Sequence, residues 1–295
     1  MSNHQNNRIP TVSTGTIERH EYFESNFVSA RHVDVWLPNN YSISKKHAVL
    51  YMHDGQMLFD PTTTWNKQAW GVAEIVESLM EQGDIRDCIV VGIWNSDSGR
   101  HADYFPKKPF DSLPEAFRNN LIDRAMQGDD AALFAKSIQS DSYLRFMVEE
   151  LKPFIDRTYS TFSNAENTFV AGSSMGGLIS MYAICEHPDI FGGAGCLSTH
   201  WIGMMAGEDN PIPDAFVNYL KANLPTLLNH RIYFDYGTET LDAFYEPHQI
   251  KVDQVMASNG FVSTNWQTHK FEGANHSEDA WRERLHIPLT FLMRS

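Results

Sequence analysis

The chain is poor in cysteine and in basic residues, and it has no long apolar run. Of its 295 residues only three are cysteines, Cys88, Cys185 and Cys196, each in apolar surroundings. So sparse and odd a set does not make a disulfide scaffold or a zinc site and reads as buried thiols. Lys and Arg number 23 against 37 Asp and Glu, a formal net charge of −14. That sign argues against general binding to nucleic acid, which needs cations against phosphates. It equally disfavours an anionic membrane surface or a polyanionic substrate. No stretch approaches the roughly 20 apolar residues that span a bilayer. The opening MSNHQNNRIPTVSTG has no apolar segment of the kind a secretory signal carries, so a cytoplasmic location is expected. What is present is 42% hydrophobic and 20% charged residues, the composition of a folded globular chain.

No internal repeat or low-complexity linker divides the sequence, and a single domain over residues 1–295 is expected, with residues 1–15 flexible. Thr16 to Phe27 and Arg31 to Leu37 alternate apolar and polar residues, the pattern of antiparallel strands. The pattern then changes to short continuous apolar runs: His47 to Met52, Cys88 to Trp94, Thr168 to Ala171, Ile232 to Tyr236 and Trp266 to Phe271. Such runs suit strands covered on both faces of a mostly parallel sheet. Helical patterns lie between them at Trp70 to Gln82, Tyr143 to Tyr159, Gly177 to His187 and Tyr245 to Ser258. This alternation predicts an α/β fold with helices on both faces of a mostly parallel central sheet and antiparallel strands at its N-terminal end. Residues 97–142 fit the alternation least and are expected to be an insertion able to wall a pocket.

The chemistry concentrates in a few loops. Gly172-Ser173-Ser174-Met175-Gly176-Gly177 is a G-x-S-x-G match entered by the apolar N-T-F-V-A and left by G-L-I-S-M-Y-A. The bare pattern is common, but strand, tight turn and helix together are the setting of a nucleophile elbow. Ser174 is therefore the candidate nucleophile. A serine needs a base, and the base needs an orienting carboxylate. His276, in Gly273-Ala274-Asn275-His276-Ser277-Glu278 after the last strand-like run, is the candidate base, with His53 as the second choice. The acid should come between them in sequence, in Asp235-Tyr236-Gly237-Thr238-Glu239-Thr240-Leu241-Asp242. Asp242 is preferred, Glu239 is the alternative, and Asp235, still inside the strand-like run, is assigned to structure. The N–H of Met175 and an N–H at Gln56, in His53-Asp54-Gly55-Gln56, are the expected oxyanion donors. His53-Asp54 as metal ligands lacks matching partners elsewhere, so no metal is expected.

The combination of Y-M-H-D-G-Q-M-L-F-D (Tyr51 to Asp60), G-S-S-M-G-G (Gly172 to Gly177), D-Y-G-T-E-T-L-D (Asp235 to Asp242) and G-A-N-H-S-E-D-A-W (Gly273 to Trp281) resembles the putative esterase family of α/β-hydrolases. That family includes enterochelin-type esterases, feruloyl and acetylxylan esterases, S-formylglutathione hydrolases and mycolyltransferases. The resemblance runs from about Arg31 to the end and implies Ser174 as nucleophile, His276 as base and an acid in the loop after Tyr236. The N-terminal binding domain of enterochelin esterases and the secretion signal usual in plant-wall esterases have no counterpart here, which turns the expectation away from those substrates.

The sequence reading is thus a serine esterase acting through an acyl-enzyme on a small-molecule or carbohydrate-linked ester, with no cofactor and no nucleic-acid or membrane partner. An acyltransferase using the same triad and a non-catalytic binding relative are the alternatives. His53, Phe59, Trp65, Arg100, His200 and Trp201 are the expected substrate-binding residues. Arg100 is read either as holding a substrate carboxylate or as pairing with Asp103. Oligomeric state is left open.

Overall fold

A computed structural model describes residues 8–126, 137–204, 210–225 and 229–294. An eight-stranded sheet is built from β1 (Thr16–Phe23), β2 (Arg31–Leu37), β3 (Ala48–His53), β4 (Cys88–Ile93), β5 (Thr168–Ser173), β6 (Gly193–Leu197), β7 (Arg231–Gly237) and β8 (Trp266–Phe271). The strand order is β1-β2-β4-β3-β5-β6-β7-β8. The first two strands pair antiparallel and β2 runs antiparallel to β4, while β3 to β8 are mutually parallel. The helices are α1 (Val72–Gln82), α2 (Arg100–Tyr104), α3 (Lys107–Ser112), α4 (Glu115–Met126), α5 (Ser140–Arg145), α6 (Lys152–Thr158), α7 (Met175–Glu186), α8 (Ile212–Asn223), α9 (Glu246–Ser258), α10 (Glu278–Arg284) and α11 (His286–Met293). Among the described residues no helix is long and apolar enough to cross a membrane.

The continuous apolar runs form the central strands because each side chain has a hydrophobic layer to enter. In β3, Val49 and Tyr51 join Val91, Val170 and the α7 residues Leu178 and Ile179 on one face. Ala48, Leu50 and Met52 point the other way and join Val72 and Val76 of α1 with Leu289 and Leu292 of α11. The period-two geometry of a strand thus feeds two cores, one on each side of the sheet. The helix expected over Tyr143 to Tyr159 is α5 and α6 joined by a π-helical segment, Phe146–Leu151. Pro153 comes two residues after it, and its missing N–H removes a donor from the regular hydrogen-bond ladder there.

One expectation about a mobile segment needs correction. Residues 8–15 are not a loose tail: the Thr11 N–H donates to Asp60 Oδ2 at 2.9 Å, Ser13 Oγ to Glu74 Oε1 at 2.6 Å, and the Gly15 N–H to Asn39 Oδ1 at 3.0 Å. Residues 1–7 lie outside the described residues. The 97–142 segment is bolted to the sheet by buried polar contacts, because Asp103 accepts from Arg31 Nη1 at 3.1 Å, Ser96 Oγ at 2.6 Å and Gln139 Nε2 at 2.7 Å. Residues 127–136 of that insertion lie outside the described residues.

Leu50 is completely buried between β3 and the α1–α11 layer, whereas Ile43 is 86% exposed. Leu50→Ala is therefore expected to lower unfolding free energy by about 2–5 kcal/mol, and Ile43→Ala to stay within about 0.5 kcal/mol of the parent. Urea denaturation at neutral pH measures both.

Candidate active site

The carboxyl ends of the parallel strands carry the polar residues, as expected where the loops of an α/β sheet open outward. At the end of β5 the chain turns sharply into α7, and Ser174 sits in the turn with φ 58° and ψ −120°. This is a conformation few side-chain-bearing residues adopt. The flanking glycines permit it: a Cβ on Gly172 would lie 2.9 Å from the Gly176 carbonyl carbon, and one on Gly177 would lie 3.0 Å from Thr199 Oγ1. The Ser174 carbonyl accepts from the N–H groups of Gly177, Leu178 and His200, and its own N–H donates to the Leu197 carbonyl at 3.0 Å. Met175 opens the helix, where an N–H has no intrahelical acceptor.

Two further loops bring His276 and Asp242 together. His276 Nδ1 lies 2.5 Å from Asp242 Oδ1. The other carboxylate oxygen accepts from Ser198 Oγ and from the Gly237 N–H, each at 2.6 Å. Gly237 has to be glycine, since a Cβ there would meet the Ala274 carbonyl oxygen at 2.1 Å. Burial works to raise the Asp242 carboxyl, but the His276 bond and charge, the Ser198 hydroxyl and the Gly237 N–H outweigh it and hold the group below its ordinary value. The alternative acid, Glu239, is exposed at the start of a 3₁₀ turn, and its backbone N–H, not its carboxylate, makes the local bond, to Ala274. Asp235 is buried against Arg284, with Arg284 Nη2 at 3.0 Å and Nε at 3.2 Å from its two oxygens.

Gln56 lies in a short 3₁₀ turn, Gly55–Met57, that follows β3. Asp54 precedes it in the left-handed region, and a Cβ on Gly55 would meet the Gly92 carbonyl carbon at 2.5 Å, so the loop lies directly on β4. Arg100 makes a bidentate pair with Asp54, both contacts at 2.7 Å. Asn95 Nδ2 adds a third donor to Asp54 at 2.7 Å, and the Asn95 N–H donates to Gln56 Oε1 at 3.2 Å. Burial again opposes ionisation of Asp54, and the Arg100 charge and hydrogen bonds overcome it, holding the carboxyl low. Of the two alternatives read for Arg100, pairing with Asp103 is thus corrected. Asp103 is taken by Arg31, and the Nε–Nη2 edge of the Arg100 guanidinium is committed to Asp54.

A cavity of about 530 Å³ is lined by Ser174, His276, Gln56, His53, Arg100 and Trp65, among others. Trp65 is 77% exposed at this cavity. Phe59 and Trp201 are removed from the substrate-binding candidates. Phe59 is buried in the α1–α11 layer, and Trp201 packs against Phe216 and Phe234 while its indole N–H donates to Gln249 Oε1 at 2.8 Å. His200 is likewise no part of that lining; its Nδ1 lies 2.8 Å from the Tyr245 hydroxyl. His53, the second-choice base, has Nδ1 at 2.9 Å from the Tyr143 hydroxyl and, among the described residues, no hydrogen-bonded carboxylate. Ser198, Arg284 and Tyr245 were not singled out from the sequence. Ser198 had a signal, its place directly after β6; the other two lie in helical stretches with nothing to distinguish them.

The "Putative esterase" family profile matches residues 25–291. Among curated proteins the chain is similar to the uncharacterized protein YjcH of Bacillus subtilis (strain 168), 23% identical over 178 residues, which is 60% of this chain and 59% of that protein. The match therefore spans less than two thirds of that relative. Among solved structures, a ferulic acid esterase superposes with a TM-score of 0.66 at 19% identity, covering 95% of this chain and 99% of that one. An IroE-like serine hydrolase from Shewanella oneidensis superposes with a TM-score of 0.67 at 15% identity, covering 94% and 80%. These likenesses show the fold.

The buried histidines make stability depend on pH. Burial pulls both His53 and His200 from 6.5 down to about 3; neighbouring charges, among them His276 and Arg100 at His200, are smaller causes. The unfolded chain takes up these protons near pH 6.5 and the folded chain does not. The stability they support is therefore full above about pH 6.5 and is lost as pH falls toward 3. Between pH 7 and pH 5 each is expected to cost about 2 kcal/mol, read as a falling denaturant midpoint, and His53→Gln should flatten the slope. A midpoint independent of pH over that interval would mean that the folded state admits the protons.

Proposed function

We propose, from the premise that the chain belongs to the "Putative esterase" family, that it is a serine esterase hydrolysing a carboxylic ester through an acyl-enzyme. The observation that carries the reading is the His276–Asp242 pair at 2.5 Å, opening onto the same cavity as the strained Ser174 turn. The ferulic acid esterase and the serine hydrolase that share the fold support the same chemistry.

In this reading His276 Nε2 takes the proton of Ser174 Oγ as the oxygen attacks the ester carbonyl. Asp242 holds the Nδ1–H and stabilises the imidazolium. The N–H groups of Met175 and Gln56 receive the negative oxygen of the tetrahedral intermediate. Collapse expels the alcohol with the proton from His276 and leaves the acyl group on Ser174. Water, deprotonated by His276, then attacks the acyl carbon, and the proton returns to Ser174 Oγ as the acid departs. The chemistry is complete with the chain's own residues and water. Trp65, exposed at the cavity, offers a flat face to a ring in a small-molecule or carbohydrate-linked ester.

The test is a panel of p-nitrophenyl, acetylated-sugar, feruloyl and glutathione thioesters. Ser174→Ala is expected to lower kcat by roughly 10⁴-fold or more and Asp242→Asn by roughly 10³–10⁴-fold, with Glu239→Gln close to the parent. The reverse ranking of the two carboxyl variants would move the acid to Glu239. Failure of a fluorophosphonate probe to label the folded protein at Ser174 would favour a non-catalytic relative.

A further inference from the structure

A second cavity, of about 490 Å³, lies at the amino ends of the parallel strands, across the sheet from Ser174 at the carboxyl end of β5. Its wall carries three arginines: Arg86 two residues before β4, Arg231 at the first position of β7, and Arg294 directly after α11. Among the described residues Glu166 is the only carboxylate in that lining. Three positive charges thus face one negative in a chain whose net charge is −14. Phe169 and Leu292, both buried, give the cavity an apolar floor.

Part of this gathering has a structural cause. The last carbonyls of a helix lack intrahelical donors and attract positive charge. At the end of α11, Arg231 Nη1 donates to the Leu292 carbonyl at 2.9 Å. Arg86 donates from Nε to the Met293 carbonyl at 3.4 Å and from Nη2 to the Arg294 carbonyl at 3.0 Å. Its Nη1 is used as well, on the Glu166 carbonyl at 3.1 Å and on Asn167 Oδ1 at 2.7 Å. Capping therefore accounts for Arg86.

It does not account for the other two. Among the described residues the Arg231 guanidinium makes its one bond to Leu292, and that of Arg294 makes one, to the Thr264 carbonyl at 3.0 Å. Most of the N–H groups of each fork are left over. A carbonyl caps a guanidinium without neutralising it. Among the described residues none of the three holds a carboxylate, as Arg100 and Arg284 do. Burial first, and then the charges of Arg294 and Arg86, hold the Arg231 guanidinium below its ordinary value, with Glu166 opposing them. An oxyanion between the forks would relieve that repulsion and take up the spare donors.

We propose that this cavity binds a phosphate group, free or carried on a small organic ester, with Arg231 and Arg294 as its donors. Each planar fork suits two phosphate oxygens, and the apolar floor leaves room for an organic group beside them. The site stands whether or not the chain is an esterase.

The test is titration calorimetry of the full chain with inorganic phosphate and with phenyl phosphate, against sodium chloride at matched ionic strength. Saturable binding is expected with phosphate and not with chloride. Tighter binding of phenyl phosphate assigns the site to an organic monoester, and equal or weaker binding assigns it to free phosphate. Arg231→Gln and Arg294→Gln, with a parent-like thermal midpoint in chloride as the fold check, are each expected to weaken binding by roughly tenfold or more, the loss of charge-assisted hydrogen bonds. Arg294 is exposed, so its variant keeps the test decisive if Arg231→Gln does not fold. Glu166→Gln removes the opposing charge, leaves the Glu166 carbonyl on Arg86, and is expected to tighten binding by roughly threefold. Damage to the fold would weaken binding and not tighten it. Absence of saturable binding to the parent overturns the proposal. Parent-like affinity in either folded arginine variant does so too, as does failure of Glu166→Gln to bind more tightly.

Discussion

The site depends on one buried carboxylate having enough donors. Asp242 is removed from water, where an unpaired charge is not tolerated, and it is ionised because donors reach both of its oxygens. Ser198 does the most to arrange this. Its hydroxyl donates to Asp242 at 2.6 Å and accepts from the Trp281 indole N–H at 2.9 Å and from Arg284 Nη2 at 2.8 Å, so its single donor and both acceptor positions are used. Through that one oxygen the end of β6, the acid loop after β7 and helix α10, which follows His276, are held in register. Removal of any of these partners would leave a buried polar group unpaired, which costs more than the bond itself contributes.

The backbone is strained on the same rim. Among the described residues seven non-glycine positions have positive φ, and five of them, Asp54, Asp97, Ser174, Ser198 and Thr240, lie shortly after β3, β4, β5, β6 and β7. Consecutive parallel strands all deliver a contorted residue to the face where the candidate chemistry lies. Strain of this kind persists only where surrounding contacts over-determine it. Here the sheet, covered by a core on each side, supplies the rigidity while the loops supply the geometry.

How much of this could be read from the sequence follows from the range of the interactions involved. The central strands were legible because a strand buried on both faces needs an unbroken apolar run, and Ala48 to Met52 or Cys88 to Ile93 cannot be satisfied otherwise. The Ser174 turn was legible because Gly172 is required by its contact with Gly176, only four residues away. The choice of Asp242 over Glu239 was a preference of position, and the structure turns Asp242 to His276 while leaving Glu239 exposed. Partner choice across the fold was not legible. Arg100 had Asp103 three residues away on its own helix, yet the bidentate geometry is offered by Asp54, 46 residues earlier. Aromatic type alone could not separate the exposed Trp65 from Phe59 and Trp201, because burial is decided by helices that arrive later in the chain. Nor did polar composition over residues 11–15 mean a loose segment, since Asp60, Glu74 and Asn39 hold it.

Arginine–aspartate pairs brace the two halves of the candidate centre separately. On one side Arg100 and Asn95 fix Asp54, whose carbonyl accepts from Met57 at 2.8 Å, so the turn carrying Gln56 is pinned to the end of β4. On the other side Arg284 joins Asp235 to Ser198, and Ser198 in turn holds Asp242. Neither guanidinium is simply a surface charge: Arg284 is buried, and Arg100 is neutralised in place by the carboxylate beside it. A chain with a net charge of −14 therefore spends scarce cations on holding loops, and the cavity wall at Arg100 presents an ion pair in place of a free positive charge. An anionic substrate would have to compete with Asp54 for that guanidinium, and displacing Asp54 would loosen the same loop that presents the Gln56 N–H. Positive charge at that wall and the position of the Gln56 turn are thus fixed by the same pair of contacts.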